Sequence, residues 1–442
     1  MTTANGKATR IDLLSWSTVQ MRTFHLTWLA FFICFFGWFS HAPLLPATIG
    51  PDLGLTKSQM ITAFIASVGV TIFARLFVGY LCDRIGPRRS YVGLLIFGAV
   101  VVAGSSFVNS WETYLFSRLC IGVIGASFVI TQYHTSVMFA PNVVGIANAT
   151  TAGWGNLGGG VTQAAMPMVA AAMLAFGFAE SDLSKWRAAM FVPATAMLII
   201  AFLYWRFTTD CPKGNYHELP EMKPIARNSG GAFLEACKDY RVWVLCMIYA
   251  GCFGMELFVN GRAAAYYQGR FELGETTAGV IASLFGLMNI FARSLGGWLG
   301  DRFASAGGLT GRVRWLVLIM MAEGVALMIF SRMDVLSPAI IAMIVFSLCV
   351  QMAEGATYSV VPFVNPKALG AVAGIVGAGG NLGAVMYAQF LLRSGYALQD
   401  CFLYFGVFVM VVGAVGTTVR FSSETEAQAK ADFQAGLAAK AG

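Results

Sequence analysis

From Phe24 to Phe421 the chain is a succession of long apolar runs, broken only by short charged or Pro/Gly-rich punctuation. A helix needs about 20 apolar residues to cross a bilayer core. Lipid offers no partner for an open backbone, so only helices or closed barrels can span it. The runs therefore read as membrane-spanning helices, at 24–47, 60–82, 90–108, 113–139, 144–176, 187–207, 241–262, 276–300, 313–331, 336–362, 367–393 and 398–421. These twelve spans predict an all-α polytopic membrane protein. Composition agrees: 57% of the residues are hydrophobic and 12% charged, against about 25% charged in soluble domains. The first run is too long for a signal peptide and is expected to stay as an uncleaved span.

The basic residues set the topology. Of the 29 Lys and Arg, nineteen fall in one alternating set of connections, seven in the other, and Arg75, Arg118 and Arg293 lie inside spans. The positive-inside rule then places both termini and the connection 208–240 in the cytoplasm. The net charge of +7 is a topology signal, with no basic patch left for nucleic acid. The nine cysteines are scattered and form no CxxC, so they read as small buried side chains. His25, His41, His134 and His217 offer no facing pair at one depth, so haem, like any other cofactor or metal, is not expected.

The chain also repeats. Arg75, Gly79, Asp83 and Arg84 follow the second span; Arg293, Gly297, Asp301 and Arg302 recur in the same order at an offset of 218 (293 − 75, 301 − 83). A second pair, GNLG around Asn156 and around Asn381, is offset by 225 (381 − 156). Two six-helix halves, 24–207 and 241–421, joined at 208–240 and flanked by polar segments 1–23 and 422–442, account for this pattern. Internal repeats around a central site are a common design of secondary transporters.

The stretch GYLCDRIGPRR, Gly79 to Arg89, with its echo GWLGDR, resembles the cytoplasmic loop motif of the major facilitator superfamily. Arg118 with Gly122 resembles another motif of that superfamily. The paired Asn-Gly segments and paired arginines resemble the nitrate/nitrite porter family. The resemblance covers nearly the whole chain and implies the major facilitator fold, with nitrate or nitrite as cargo, protons as a candidate co-substrate, and the cell membrane as its place.

An arginine at membrane depth costs from a few to more than ten kcal/mol. Snorkelling or pairing with an acid is the alternative, and two arginines in the same register make it the weaker one. Arg75 and Arg293 are expected to converge between the halves, where an anion offsets their desolvation and accepts forked hydrogen bonds. Arg118 has no twin and reads as structural or coupling-related. Gly153, Asn156, Gly160 and Gln163 are spaced to share one helix face. The glycines suit a packing seam, whereas the carboxamides of Asn156 and Asn381 need partners and are candidate anion contacts. Phe128, Tyr249 and Phe253 would be packing residues on pattern alone; the resemblance implies that they frame the anion. Glu256, Glu323, Glu354 and His134 are candidate proton carriers, with hydrogen-bonded structural roles the alternative.

No nucleophile–base pair, metal-ligand cluster or Walker loop occurs, so an enzyme is not expected. The connection 208–240 is too short for a signalling domain, and the repeat favours alternating access over a channel. The expected activity is secondary transport of nitrate and/or nitrite, by proton symport or nitrate/nitrite exchange. A short carboxylate is the alternative cargo. Because one chain holds both halves of the site, a monomer should suffice.

Overall fold

The computed structural model describes residues 6–219, 229–273 and 275–441; Glu221, Lys223 and Arg227 of the connection between the halves lie outside them. Its helices are α1 (Val19–Phe39), α2 (Lys57–Ile85), α3 (Pro87–Gly104), α4 (Trp111–Met138, with one 3-10 turn), α5 (Val144–Ala175), α6 (Lys185–Phe207), α7 (Tyr240–Phe271), α8 (275–307), α9 (309–331), α10 (Leu336–Val360), α11 (Leu369–Ser394), α12 (Leu398–Val415) and α13 (Ser423–Ala441). Among the described residues, ten helices are long and apolar enough to span, or eleven with the bent pair in α5 counted as one. One of these, Val280–Ser331, is 52 residues long and holds both α8 and α9, which brings the number of spans to twelve.

Local sequence explains where the helices start and stop. Thr18 caps α1, Thr56 with Gln59 and Ser110 with Thr113 form capping boxes on α2 and α4, and Asp239 caps α7, each satisfying amides that the first turn leaves open. The first span ends earlier than expected. α1 stops at Phe39, and the chain, with Pro43 and Pro46 unable to donate, turns through Leu45–Ile49. The expected loop after residue 300 is absent too. The helix continues to Gly308, which breaks it at φ 61°, a conformation that suits glycine. α9 then restarts with Glu426 of α13 accepting from the amides of Leu309 and Thr310. α5 bends by 48° between Thr162 and Ala165, where Pro167 cannot continue the hydrogen-bond ladder.

Equivalent contacts recur in the two halves. α1 packs on α5 as α7 packs on α11, and α3 on α6 as α9 on α12. Glycines make the first pair of contacts close. Cβ atoms on Gly155 and Gly158 would run into the Phe31 ring and the Phe32 carbonyl; on Gly380 and Gly383 they would meet the Phe253 ring and the Ala250 carbonyl. The seam therefore lies on a different face from that suggested by the spacing of Gly153 and Gly160. Gly153 faces Asn289 on α8, and a Cβ on Gly160 would meet nothing within 4 Å. The Gln163 side chain lies outside the described residues.

The halves meet where α2 lies against α11 and α5 against α8, again through glycines: Gly79 against Gly370, and Gly145 against Gly297. One turn further along, each acid of the repeated motif caps the facing helix of the other half. Asp83 accepts from the Gly370 and Ala371 amides at 3.1 and 3.0 Å. Asp301 accepts from Gly145 and Ile146 at 3.2 and 2.9 Å. A carboxylate at a helix N-terminus satisfies open donors and complements the dipole. Both clasps sit at the end of the bundle where α13 packs, and they join the two halves there.

Candidate functional site

Arg75 on α2 and Arg293 on α8 are both buried, at 0% and 1% exposure. They flank one aromatic ring: their guanidinium carbons lie 5.3 and 5.7 Å from the centroid of Phe253. Arg75 also lies 5.1 Å from Phe128. Phe128, Tyr249 and Phe253 stack nearly parallel, with centroids 5.1–6.0 Å apart and interplanar angles of 11–19°. Such a stack provides a flat, apolar wall beside two forked donors.

The two cations are held differently. Arg75 donates to the carbonyls of Gly125 and Gly377, while its Nη2 has no partner. Among the described residues no carboxylate pairs with it. Arg293 is paired twice, with Glu256 at 3.1 Å and with Glu354. Glu256 is fixed further by the Asn289 amide at 2.7 Å. The Asn156 carboxamide lies against Arg293, its oxygen placed to accept from Nη1 and Nη2 at 2.8 and 3.2 Å. The two-arginine, two-carboxylate cluster is therefore neutral overall when all four groups are charged, but lopsided, with one cation bare.

Residues 27–388 match the Major Facilitator Superfamily. High-affinity nitrate transporter 2.3 of Oryza sativa subsp. japonica is 38% identical over 408 residues, spanning 91% of this chain and 78% of its own. High affinity nitrate transporter 2.5 of Arabidopsis thaliana is 39% identical over 384 residues, with 87% and 76% covered. The nitrate/nitrite transporter NrtP of Picosynechococcus sp. is 28% identical, with 84% and 85% covered. The chain belongs to the nitrate/nitrite porter family of the major facilitator superfamily. Its fold also matches the proton:xylose symporter XylE, with a TM-score of 0.66 at 13% identity over 90% of this chain and 94% of that one. It is a transporter and not an enzyme.

Within the porter, the structure gathers Arg75, Arg293, Asn156, Phe128, Tyr249 and Phe253 into one buried cluster, with Glu256 and Glu354 on its Arg293 side. Asn381 is placed elsewhere: its amide donates to the Val68 carbonyl across the α2–α11 seam at 3.1 Å. Glu323 is fully buried with neither carboxyl oxygen partnered, and no contact joins it to the arginines. His134 is pinned on both sides, Nε2 by the Thr209 carbonyl at 2.7 Å and Nδ1 by the Tyr204 hydroxyl at 2.5 Å. The carbonyl can only accept, so Nε2 donates to it, and in the neutral ring Nδ1 accepts from Tyr204. Arg84 and Arg302 stand away from the clasps, over the rings of Tyr80 and Trp298. Sequence reasoning missed Tyr358, which meets Phe128 and Tyr249 edge-on at 4.9 and 5.1 Å and donates to the Ala373 carbonyl. Its spacing was a usable signal, because Glu354 and Tyr358 are one helical turn apart.

Proposed function

We propose that this porter moves nitrate, and nitrite by the same route, with the anion held between Arg75 and Arg293 against the stacked rings of Phe128, Tyr249 and Phe253. The observation that carries this reading is the buried, unpartnered Nη2 of Arg75, beside a ring that Arg293 also faces. A flat, weakly hydrated oxyanion accepts from coplanar donors and lies against an aromatic face at little desolvation cost. The relatives named as nitrate or nitrate/nitrite transporters support the same cargo. Asn156, on the Arg293 fork, joins the anion's shell. The clasps of Asp83 and Asp301 close one end while the halves rock about the site. By the count of basic residues that end is cytoplasmic, as are both termini.

Charge balance favours proton symport. The central cluster is neutral with Glu256 and Glu354 ionised, so an entering anion leaves one uncompensated negative charge in a dry site. A proton on one carboxyl restores neutrality. Glu354 is the better carrier because Arg293 is its ion-pair partner, whereas Glu256 is also anchored by Asn289. With the anion gone, the carboxylate again neutralises Arg293, so the empty carrier can return without a counter-anion. Inward movement of an anion against a negative-inside potential costs about 2.3 kcal/mol per 100 mV, which the proton offsets. The test is nitrate and nitrite uptake into proteoliposomes with and without an inward pH gradient. Uptake driven by the gradient supports symport. Flux that needs internal nitrite whatever the gradient replaces symport with exchange, and equal transport of formate in place of nitrate overturns the cargo.

A further inference from the structure

A second arginine site lies in the first half, away from the central cluster. Arg118 on α4 is 5% exposed, and among the described residues no carboxylate pairs with it. Its hydrogen bond to the protein is a long one, 3.5 Å from Nη1 to the Trp38 carbonyl. One turn before it on the same face stands Tyr114, fully buried with an unpartnered hydroxyl, and next to it Ser117, whose hydroxyl is also unpartnered. The end of α1 closes the other side. His41 lies one turn beyond Trp38, its ring 6.0 Å from those of Tyr114 and Trp186 and its Nε2 unpartnered.

We propose that Arg118, Tyr114 and Ser117 form a second binding site for a small monovalent anion, with the His41 ring as its wall. A guanidinium buried without a carboxylate is costly, and the hydroxyls beside it have lost water without gaining partners. One anion resolves all three, accepting from the guanidinium and from both hydroxyls, as a chloride or a nitrate can. Arg118 precedes Gly125, the carbonyl partner of Arg75, by seven residues (125 − 118), or about 10 Å of helix. The site therefore lies about one and a half to two turns from the central cluster, towards the Trp111 end of α4 and away from the Asp83 and Asp301 clasps. It acts as an entry station on the side that the clasps leave free.

Equilibrium dialysis of the purified full-length chain in nanodiscs against isotopically labelled nitrate, with and without chloride, tests this. About two anions should bind per chain, and about one should remain in Arg118→Gln, with the remaining affinity within about twofold of its wild-type value. Tyr114→Phe removes one donor to a charged partner and should weaken the lost site about tenfold. In Arg75→Gln the Arg118 site is read alone, so failure of the central-site reading and failure of this one are distinguishable. Chloride that displaces one of the two nitrates supports the site as a general anion site. If Arg118→Gln does not fold, Arg118→Lys keeps the charge and should retain the second anion at reduced affinity. A purely structural Arg118 predicts one anion per chain in the wild type, the same isotherm in Arg118→Gln and Tyr114→Phe, and no binding in Arg75→Gln; that result overturns the proposal.

Discussion

Glu354 and Arg293 form an ion pair out of contact with solvent, while Arg75, related to Arg293 by the internal repeat, donates to the Gly125 and Gly377 carbonyls and has no carboxylate partner among the described residues. The repeat thus delivers two arginines to one site, and the second half alone adds the acids. This asymmetry places the bare cation on α2 and both carboxylates, Glu256 and Glu354, around Arg293.

Replacing either arginine with lysine keeps the charge but removes the coplanar fork. Arg75→Lys and Arg293→Lys should each reduce nitrate affinity by about 10- to 100-fold, the loss expected for a charge-assisted hydrogen bond of about 1.5–3 kcal/mol. Nitrate uptake into proteoliposomes measures this, with surface expression and monodispersity as controls. Wild-type flux in both variants contradicts the two-arginine site.

If anion binding places a proton on Glu354, binding takes up a proton and tightens as the pH falls. Nitrate affinity should therefore increase with acidity in the wild type and lose most of that slope in Glu354→Gln. Counterflow should survive in the variant, since exchange does not need the proton. An unchanged slope moves coupling to another group. We expect it not to be His134, both of whose ring nitrogens have partners. His134→Gln should lower the melting temperature and leave the pH slope alone.

The clasps differ in strength. Asp301 is paired with the buried Arg312 at 2.6 Å, and Arg312 reaches across to the Pro141 carbonyl at 2.7 Å. Asp83 is held by backbone amides, with Tyr133 beside it. Asp301→Asn leaves a buried guanidinium uncompensated, a loss of about 3–5 kcal/mol. Asp83→Asn weakens a helix cap, by about 0.5–2 kcal/mol. Cysteine accessibility at the clasped end should rise more in Asp301→Asn than in Asp83→Asn; the reverse order contradicts this ranking.

The glycines can be separated by the same reasoning. In Gly383→Ala the added methyl meets the Ala250 backbone, so about 1–3 kcal/mol of stability should be lost, along with transport. Gly160→Ala meets open space on an exposed helix position and should be neutral or stabilising by up to about 1 kcal/mol. Thermal unfolding in detergent distinguishes the two, and similar effects at both positions argue against the seam.

Sequence by itself determined that this chain spans a membrane about twelve times, that its halves repeat, and that Arg75 and Arg293 occupy matching places. These are consequences of hydropathy and spacing, which local physics reads directly. The tertiary structure decided what each residue touches. Asn156 and Asn381 sit in matching GNLG segments, yet one faces Arg293 and the other bridges α11 to Val68. Glu256, Glu354 and Glu323 look alike in sequence, yet two neutralise an arginine and the third stands apart. Which face of GWGNLGGG forms the α1 seam likewise depended on where α1 lies. A helix fixes its own side-chain directions, but their partners belong to other helices, and rotation and tilt are set by packing against those neighbours.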